Sequence, residues 1–170
     1  MNALYIAAGI LIVVLIAWII IKNSLIAKDN QVKNAFSLID VMLKQRFDMI
    51  PQLIELVKGY MAHEKGLLES LTKIRMGARS TEELAQSNHL VKEQFAQFSI
   101  LAEAYPDLKA SEQFLNLQRN ISDMEEKLAA ARRTYNASIE EYNNAVMQFP
   151  SSIVAQKSNF QVKEFLKFND

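Results

Sequence analysis

The chain of 170 residues contains no cysteine, only four glycines and only three prolines. Without cysteine it can form neither a disulfide nor a thiolate metal site, and it has no cysteine nucleophile. Average usage would give about twelve glycines and about eight prolines in this length, so turn-forming residues are scarce. A β-sandwich or an α/β fold with glycine-rich loops needs more of them. The composition therefore indicates an all-α protein made of long helices.

Net charge and imidazole groups are scarce as well. Nineteen lysines and arginines balance nineteen aspartates and glutamates, so the formal net charge is zero. Nucleic-acid binding depends on a surplus of basic side chains on one face, so we predict no nucleic-acid partner. His63 and His89 are the only histidines, which leaves few ligands for a metal ion. Half of the residues are apolar, which excludes a disordered chain.

The longest apolar run extends from Ala3 to Ile21 without a charged side chain. As a helix it would measure roughly 28 Å, close to the ~30 Å thickness of the hydrocarbon core of a bilayer. A cleaved signal peptide is the alternative, but the run lacks the basic start and the small-residue cleavage site of one. We therefore predict a single-pass anchor over residues 1–22 that contacts the lipid bilayer.

The lysines that flank this run lie on its C-terminal side, at Lys22, Lys28 and Lys33. The flank richer in Lys and Arg stays in the cytoplasm. We therefore expect the N-terminus outside the membrane and the soluble domain in the cytoplasm.

After the apolar run, apolar residues recur at steps of three or four, the spacing of one face of an amphipathic helix. The first series is Val32, Phe36, Ile39, Leu43, Phe47, Ile50, Ile54, Val57 and Met61. Pro51 interrupts this series and lacks the N–H that would bond to the carbonyl of Phe47, which predicts a kink near Phe47–Pro51. The helix is expected to end near Gly59–Gly66.

A second helical stretch is predicted from about Lys65 to Ala104, with Leu90, Val91, Phe95, Phe98 and Leu101 as one apolar stripe. Tyr105-Pro106 ends it, because proline disfavours helical geometry in the residue before it.

The third stretch begins at the N-cap candidate Ser111 and ends at Pro150. Its core positions alternate steps of three and four over thirty-five residues, a heptad pattern typical of coiled coils and helical bundles. They are Phe114, Leu117, Ile121, Met124, Leu128, Ala131, Tyr135, Ser138, Tyr142, Ala145 and Phe149.

Three stretches of similar length joined by short turns predict an antiparallel bundle of three long helices over residues 23–150. Residues 22–80 carry a net charge of +4 and residues 81–170 a net charge of −4, which favours pairing of the first helix with the third. If the helices alternate in direction, the Tyr105–Ser111 turn lies near the bilayer and Pro150 at the distal tip. Residues 151–170 are too apolar for a free tail, so we expect a short helix or an extended strap that packs on the bundle or on a partner.

Three blocks of residues resemble the LemA family. The first runs from Ile39-Asp40-Val41 to His63-Glu64, the second is Tyr105-Pro106-Asp107-Leu108-Lys109-Ala110, and the third extends from Ala130-Ala131-Arg132-Arg133 to Phe149-Pro150. The resemblance covers nearly the whole chain. The tail departs from it, with Asn159-Phe160 where the family has Gly-Phe.

This resemblance implies a bacterial inner-membrane protein with one span and long antiparallel helices, and it implies no defined biochemical activity. The family is linked to the building of a membrane organelle and to a membrane metalloprotease. The blocks supply candidate interaction or structural residues: Asp40, Arg46, Asp48, Pro51, Tyr60, His63, Glu64, Arg132, Arg133, Tyr135, Asn136, Tyr142, Asn143 and Pro150.

The acidic and imidazole groups among them favour structural roles over catalysis. His63-Glu64 lacks the second histidine of a zinc-protease motif, and we predict no metal and no cofactor. Asp40 and Asp48 are eight residues apart, about 12 Å along a helix, which is too far to share a proton. We expect them to form ion pairs with basic residues, the candidates being Lys44, Arg46, Arg132 and Arg133.

Tyr135-Asn136 and Tyr142-Asn143 repeat at an interval of seven residues, which places both tyrosines on one seam. We expect core tyrosines whose hydroxyls reach the first helix, beside asparagines that set the register. A polar docking stripe for a partner is the alternative.

These observations leave three functional hypotheses. The first is a membrane-anchored helical scaffold or adaptor that acts by self-association or by recruiting another membrane protein, with no chemistry of its own. The second is an accessory subunit of a membrane enzyme, such as a metalloprotease in membrane-protein quality control. The third is an enzyme or cofactor binder that uses the Asp, Arg, Tyr and Asn side chains.

Overall fold

The computed structural model describes residues 2–58 and 81–166, and the regular secondary structure in these ranges is helical. The helices are α1 (Asn2–Phe47), α2 (Met49–Lys58), α3 (Thr81–Ala102), α4 (Pro106–Lys109), α5 (Glu112–Met147) and α6 (Ser151–Lys157). The predicted all-α class is confirmed, with one long apolar N-terminal helix and further long helices after it. The predicted helix end near Gly59–Gly66 and the predicted start near Lys65 lie outside the described residues.

The boundary between α1 and α2 falls within Phe47–Pro51, where the sequence predicts a kink. α1 ends at Phe47, Asp48 forms a turn and α2 begins at Met49. Proline has no N–H to offer the carbonyl four residues earlier, so the helical hydrogen-bond ladder is interrupted there. The Asp48 N–H still donates to the carbonyl of Lys44 at 2.9 Å, so the chain does not open into a loop between α1 and α2.

The packing of the described residues forms two compact units. The first combines residues 2–36 with residues 133–165. The second combines residues 37–58 and 81–132 with Leu166.

In the first unit, α1 and α5 run antiparallel. The ammonium group of Lys28 lies 3.2 Å from the carboxylate of Glu141. Further along α1, the ring of Phe36 packs against that of Tyr135, with centroids 5.9 Å apart. Residue numbers thus rise along α1 while they fall along α5. The first and third helices pair in this unit, but they run in opposite directions, whereas helices that alternate in direction would place the first and third parallel.

The same unit shows that the predicted position of Pro150 is wrong. The end of α5 packs with α6 around Leu25 of α1, and Trp18 and Ile21 border the same cluster. The turn at Pro150 therefore lies beside the end of the apolar run and not at a distal tip. A heptad pattern identifies the buried face of a helix, but it does not identify the neighbour or its direction.

The core of the second unit joins α2, α3, α4 and α5. Its buried residues are Ile50, Leu53, Phe95, Phe98, Ala102, Leu108, Phe114 and Leu117. Tyr105 has φ −126° and ψ 85°, an extended geometry of the kind that the following proline favours, so the predicted stop is confirmed. Leu90 is 45% exposed, so its predicted place in the apolar stripe is wrong.

α5 confirms the predicted third helix and its N-cap. The hydroxyl of Ser111 accepts a hydrogen bond from the N–H of Phe114 at 3.3 Å, which satisfies one of the free donors of the first turn. The predicted core positions from Phe114 to Ala145 are all buried or half-buried. Phe149 is 81% exposed, because α5 ends at Met147 and the residue lies beyond the helical face that would have buried it.

The tail contains both of the expected elements. α6 is the short helix, and residues 160–166 follow as an irregular segment that we call the strap. Asn159 joins the two with φ 59°, a left-handed conformation that asparagine tolerates better than most residues. This position therefore has a backbone that suits glycine or asparagine, and asparagine occupies it here.

Candidate functional site

The first half of α1 presents a continuous apolar surface. Within the described ranges it is the one helix long and apolar enough to cross a membrane. Leu4 is 75% exposed and Ile10 is 61% exposed, and contiguous apolar surface of this extent marks a lipid or protein contact. The same helix continues without interruption into the packed residues, where Leu25, Val32 and Ile39 are buried.

A second feature is the buried guanidinium of Arg46 in the last turn of α1, where 2% of the residue is exposed. One Nη atom donates to Oδ1 of Asn88 at 2.9 Å, and the other donates to Oε1 of Glu125 at 2.6 Å. The group also lies over the ring of Phe95, 5.6 Å from its centroid. One arginine thereby connects α1 to α3 and to α5.

The electrostatics of this arginine are set by its burial. Desolvation lowers the pKa of Arg46, and the adjacent Glu125 carboxylate offsets part of that effect. The Nε atom is buried without a hydrogen-bond partner. Since Glu125 keeps half of its side chain in solvent, the guanidinium bears most of the cost of dehydration, and the ion pair is the main compensation for it.

A third feature fixes the strap to α5 and α1 within the first unit. The side-chain amide of Asn143 on α5 donates to the carbonyl of Lys163 and accepts from its N–H, both at 2.8 Å. The Lys163 ammonium lies 2.7 Å from the carboxylate of Asp29 and over the ring of Tyr142, 5.1 Å from the centroid. The Asn143 amide therefore pairs with both backbone groups of Lys163, as the backbone of a neighbouring β-strand would. The Lys163 side chain then links the strap to α1 through Asp29.

Asp29 is the acidic centre of this contact. Burial raises the pKa of its carboxyl, but hydrogen bonds from Lys163 and Lys33 outweigh burial, so the net pKa is lowered. Lys33 lies 2.7 Å away on the same helix. A lowered folded-state pKa adds stability above the unfolded-state pKa and loses it as the pH falls through the folded value.

We therefore expect Asp29→Asn to reduce the free energy of unfolding by about 1 kcal/mol at pH 7, as for a partly exposed ion pair. The difference from wild type should shrink towards zero as the pH falls below about 4. Urea unfolding of the full-length protein in mild detergent, measured by circular dichroism between pH 3 and pH 7, checks this. In a Lys163→Met background the pH dependence should be smaller but not absent, because Lys33 still pairs with Asp29; a difference that persists unchanged would contradict the assignment to Lys163.

The α2 and α5 helices of the second unit also border an open groove of about 630 Å³. Its lining is mixed, with apolar positions between side-chain amides and one carboxylate. The residues are Pro51, Gln52, Glu55, Leu56, Gln113, Asn116, Leu117 and Asn120. Such a surface can hold apolar side chains while its amides bond to a backbone.

With this geometry in view, comparison with known proteins establishes the family. The family model described as the LemA family matches residues 35–170, a range that includes Arg46, Asn143 and the strap. The chain belongs to the LemA family. The resemblance stated from the sequence blocks is thereby confirmed.

Two relatives of known name match the chain. Protein LemA of Metamycoplasma hominis is 30% identical over 140 residues, which cover 80% of this chain and 64% of that protein. Magnetosome protein MamQ of Magnetospirillum gryphiswaldense is 28% identical over 65 residues, which cover 38% of this chain and 24% of that protein. The chain thus spans less than two thirds of the length of these relatives.

The described residues among those selected from the LemA blocks are divided between the two units. Arg46 lies in the second unit, whereas Tyr135, Tyr142 and Asn143 are buried in the first. Of the others, Asp40, Arg132 and Asn136 are half-buried, and Asp48, Pro51, Arg133 and Pro150 are exposed. Tyr60, His63 and Glu64 lie outside the described residues.

Two predicted contacts of these residues turn out differently. Of the basic residues considered as partners of Asp40 and Asp48, Arg46 pairs with Glu125 instead. Asn143 forms hydrogen bonds with the backbone of the strap, so it fixes the C-terminal tail to α5. Tyr135 packs its ring on Phe36 of α1 as a core tyrosine.

Sequence reasoning missed Asp29, Asn88, Glu125 and Lys163 as members of these contacts. One signal was available for Arg46, because Ile39, Leu43, Arg46, Ile50 and Leu53 alternate steps of four and three. That spacing places the arginine on a core face, where a charged side chain requires a partner. No comparable spacing links Lys163 to Asp29, because the strap is not helical.

Among the described residues, no group of three or more His, Cys, Asp and Glu side chains could hold a metal ion. His63 and Glu64, the residues considered for zinc, lie outside the described residues.

Proposed function

We propose that this protein is a scaffold or adaptor of the bacterial inner membrane, anchored by α1, that works by self-association or by recruiting another membrane protein. One observation carries the proposal. α1 is a single helix whose exposed apolar half leads directly into the half that is packed against α5. A partner bound to the packed part is thereby held at the membrane.

The role of the polar residues supports this proposal. Arg46 is engaged by Asn88 and Glu125, and Asn143 is engaged by the strap. These side chains stabilise contacts between helices and with the strap. Such a structural role is expected in a protein that acts by binding other proteins. The similarity to a magnetosome protein supports a membrane-associated role.

The groove between α2 and α5 is our candidate surface for recruitment. Its volume is in the range of ligand-binding clefts. Side-chain amides from Gln52, Gln113 and Asn120 can bond to the backbone of a bound segment, and Leu56 and Leu117 can contact its apolar side chains. The three lysines that follow the apolar run support a cytoplasmic location for this surface.

The proposal is tested by photo-crosslinking in native bacterial membranes, followed by mass measurement of the purified full-length protein in lipid nanodiscs. A photoreactive residue at Asn116 samples the groove, and one at the exposed Glu126 of the same helix serves as the matched control. We expect crosslinks from Asn116, to a second copy or to a defined membrane protein, and few from Glu126.

Each outcome bears on the proposal. A crosslinked species at a fixed multiple of the 19.4 kDa chain, recovered as a uniform assembly in nanodiscs, supports self-association. A defined heteromeric species supports recruitment. A chain that remains a monomer in nanodiscs and gives no specific crosslink in membranes contradicts the scaffold proposal.

A further inference from the structure

The turn between α5 and α6 exposes large apolar side chains that the packing of the first unit leaves uncovered. Met147 is 61% exposed, Phe149 81% and Ile153 50%. Phe149 is more exposed than Leu4 near the start of the apolar run, which is 75% exposed. These three exposed side chains lie within seven residues of the chain, and grouped apolar surface of this kind marks a protein or membrane contact.

The register of α1 and α5 gives the position of this turn along α1. Tyr135 lies beside Phe36, and Glu141 lies beside Lys28. Continuing this antiparallel register for two further turns of α5 places Met147 and Phe149 level with Ile21 and Lys22, where the uncharged run ends. The cluster of α6 with Leu25, Trp18 and Ile21 places the turn at the same level independently.

The charge around the turn also matches this position. After Glu141 the next acidic residue is Glu164, so a stretch of 22 residues carries no carboxylate. Lys157 lies within it and is exposed. Anionic headgroups of a membrane surface attract lysine and repel carboxylates, and bulky apolar side chains beside them can enter the boundary of the acyl chains.

We propose that the α5–α6 turn, residues 147–153, inserts Met147, Phe149 and Ile153 into the interfacial layer of the bilayer in which α1 is anchored. The inference rests on the membrane anchoring in the proposed function and adds a second lipid contact to it. A lipid surface is the occupant because the turn lies level with the end of the apolar run of α1 and within a stretch of sequence that has no carboxylate.

Site-directed spin labelling tests this in the full-length protein, whose natural lack of cysteine allows single labels without background. The label is placed at Phe149→Cys in vesicles of phosphatidylethanolamine and phosphatidylglycerol. Leu11→Cys in the apolar run is the lipid reference. The exposed Ala137→Cys on α5, twelve residues before Phe149 and about 18 Å away along the helix, is the aqueous reference. Power saturation compares the accessibility of each label to oxygen and to a water-soluble nickel chelate.

The label at Phe149 should show an oxygen-to-nickel accessibility ratio several-fold above that at Ala137 and closer to that at Leu11. If Leu11 is in lipid while Phe149 is fully accessible to nickel, the inference is overturned and the anchoring stands. A label at Phe149 that neither reagent reaches would indicate a protein contact and would also overturn it. If Leu11 itself is accessible to nickel, the anchoring fails, and the inference fails with it.

Discussion

Glu125→Gln lowers the free energy of unfolding by about 3 kcal/mol, the expected cost of removing one partner of a buried ion pair. The charge of Arg46 remains in place with 2% of the residue exposed, and its 2.6 Å ion pair is lost. The amide oxygen that Glu125→Gln introduces can still accept a hydrogen bond, as Asn88 does, but neither acceptor carries a charge to offset that of the guanidinium. We place the cost at the lower end of the usual range because Glu125 is itself half in solvent.

A double-mutant cycle separates the ion pair from the packing of the long side chain. Arg46→Met keeps an unbranched apolar stem and removes the buried charge, so it should cost about 1–2 kcal/mol. Adding Glu125→Gln to Arg46→Met should cost little more, since no buried charge then needs a counterion. The expected coupling is at least about 1.5 kcal/mol, measured by urea unfolding of the full-length protein in mild detergent.

Glu126→Gln is the control, because Glu126 is the exposed neighbour of Glu125 on α5. Its effect should stay within about 0.5 kcal/mol, as for surface substitutions in general. Equal effects of Glu125→Gln and Glu126→Gln would show that the ion pair of Arg46 contributes nothing to stability.

Asn143→Ala releases the strap. The substitution removes both partners of the Lys163 backbone, and each polar group left without a partner in a partly buried place costs about 1–3 kcal/mol. Residues 160–166 form neither a helix nor a strand, so no regular backbone hydrogen-bond pattern holds the strap in place. We therefore expect the amide of Lys163 to lose about 2 kcal/mol of protection in hydrogen exchange, while protection in the middle of α5 is unchanged.

The adjacent Asn144, which is exposed, gives a matched control. Asn144→Ala changes the same atoms one residue along the helix and should leave the exchange of Lys163 as in wild type. Faster tryptic cleavage after Lys163 in Asn143→Ala alone provides a second readout. Wild-type protection of Lys163 in Asn143→Ala would show that other contacts suffice to hold the strap.

The sequence predicts the elements of this fold well because each has a local cause. Pro51 breaks a helix by its covalent structure, Ser111 caps one through its own hydroxyl, and Pro106 restrains the residue before it. The heptad spacing of α5 likewise follows from the geometry of the helix itself. These effects act over a few residues, so one sequence is enough to identify them.

Contacts between distant segments were not predictable in the same way. Pairing of the first and third helices follows from opposite net charge, but the position of the turn at Pro150 depends on which helices are neighbours. Glu125 and Lys163 find their partners 79 and 134 residues earlier in the chain. Nothing in the local pattern at either residue identifies that partner. The family resemblance identifies Arg46 and Asn143 but not what each of them contacts.

The unbroken course of α1 has a mechanical consequence. No proline or glycine occurs between Gly9 and Pro51, so the helix has no hinge where the apolar run meets the packed residues. A helix in a bilayer thinner than its apolar length tilts to keep that length covered. In the proposed anchored state, a tilt of α1 would also rotate α5 and α6, which pack on α1 in the first unit. The orientation of the first unit would then report the thickness of the membrane beneath it.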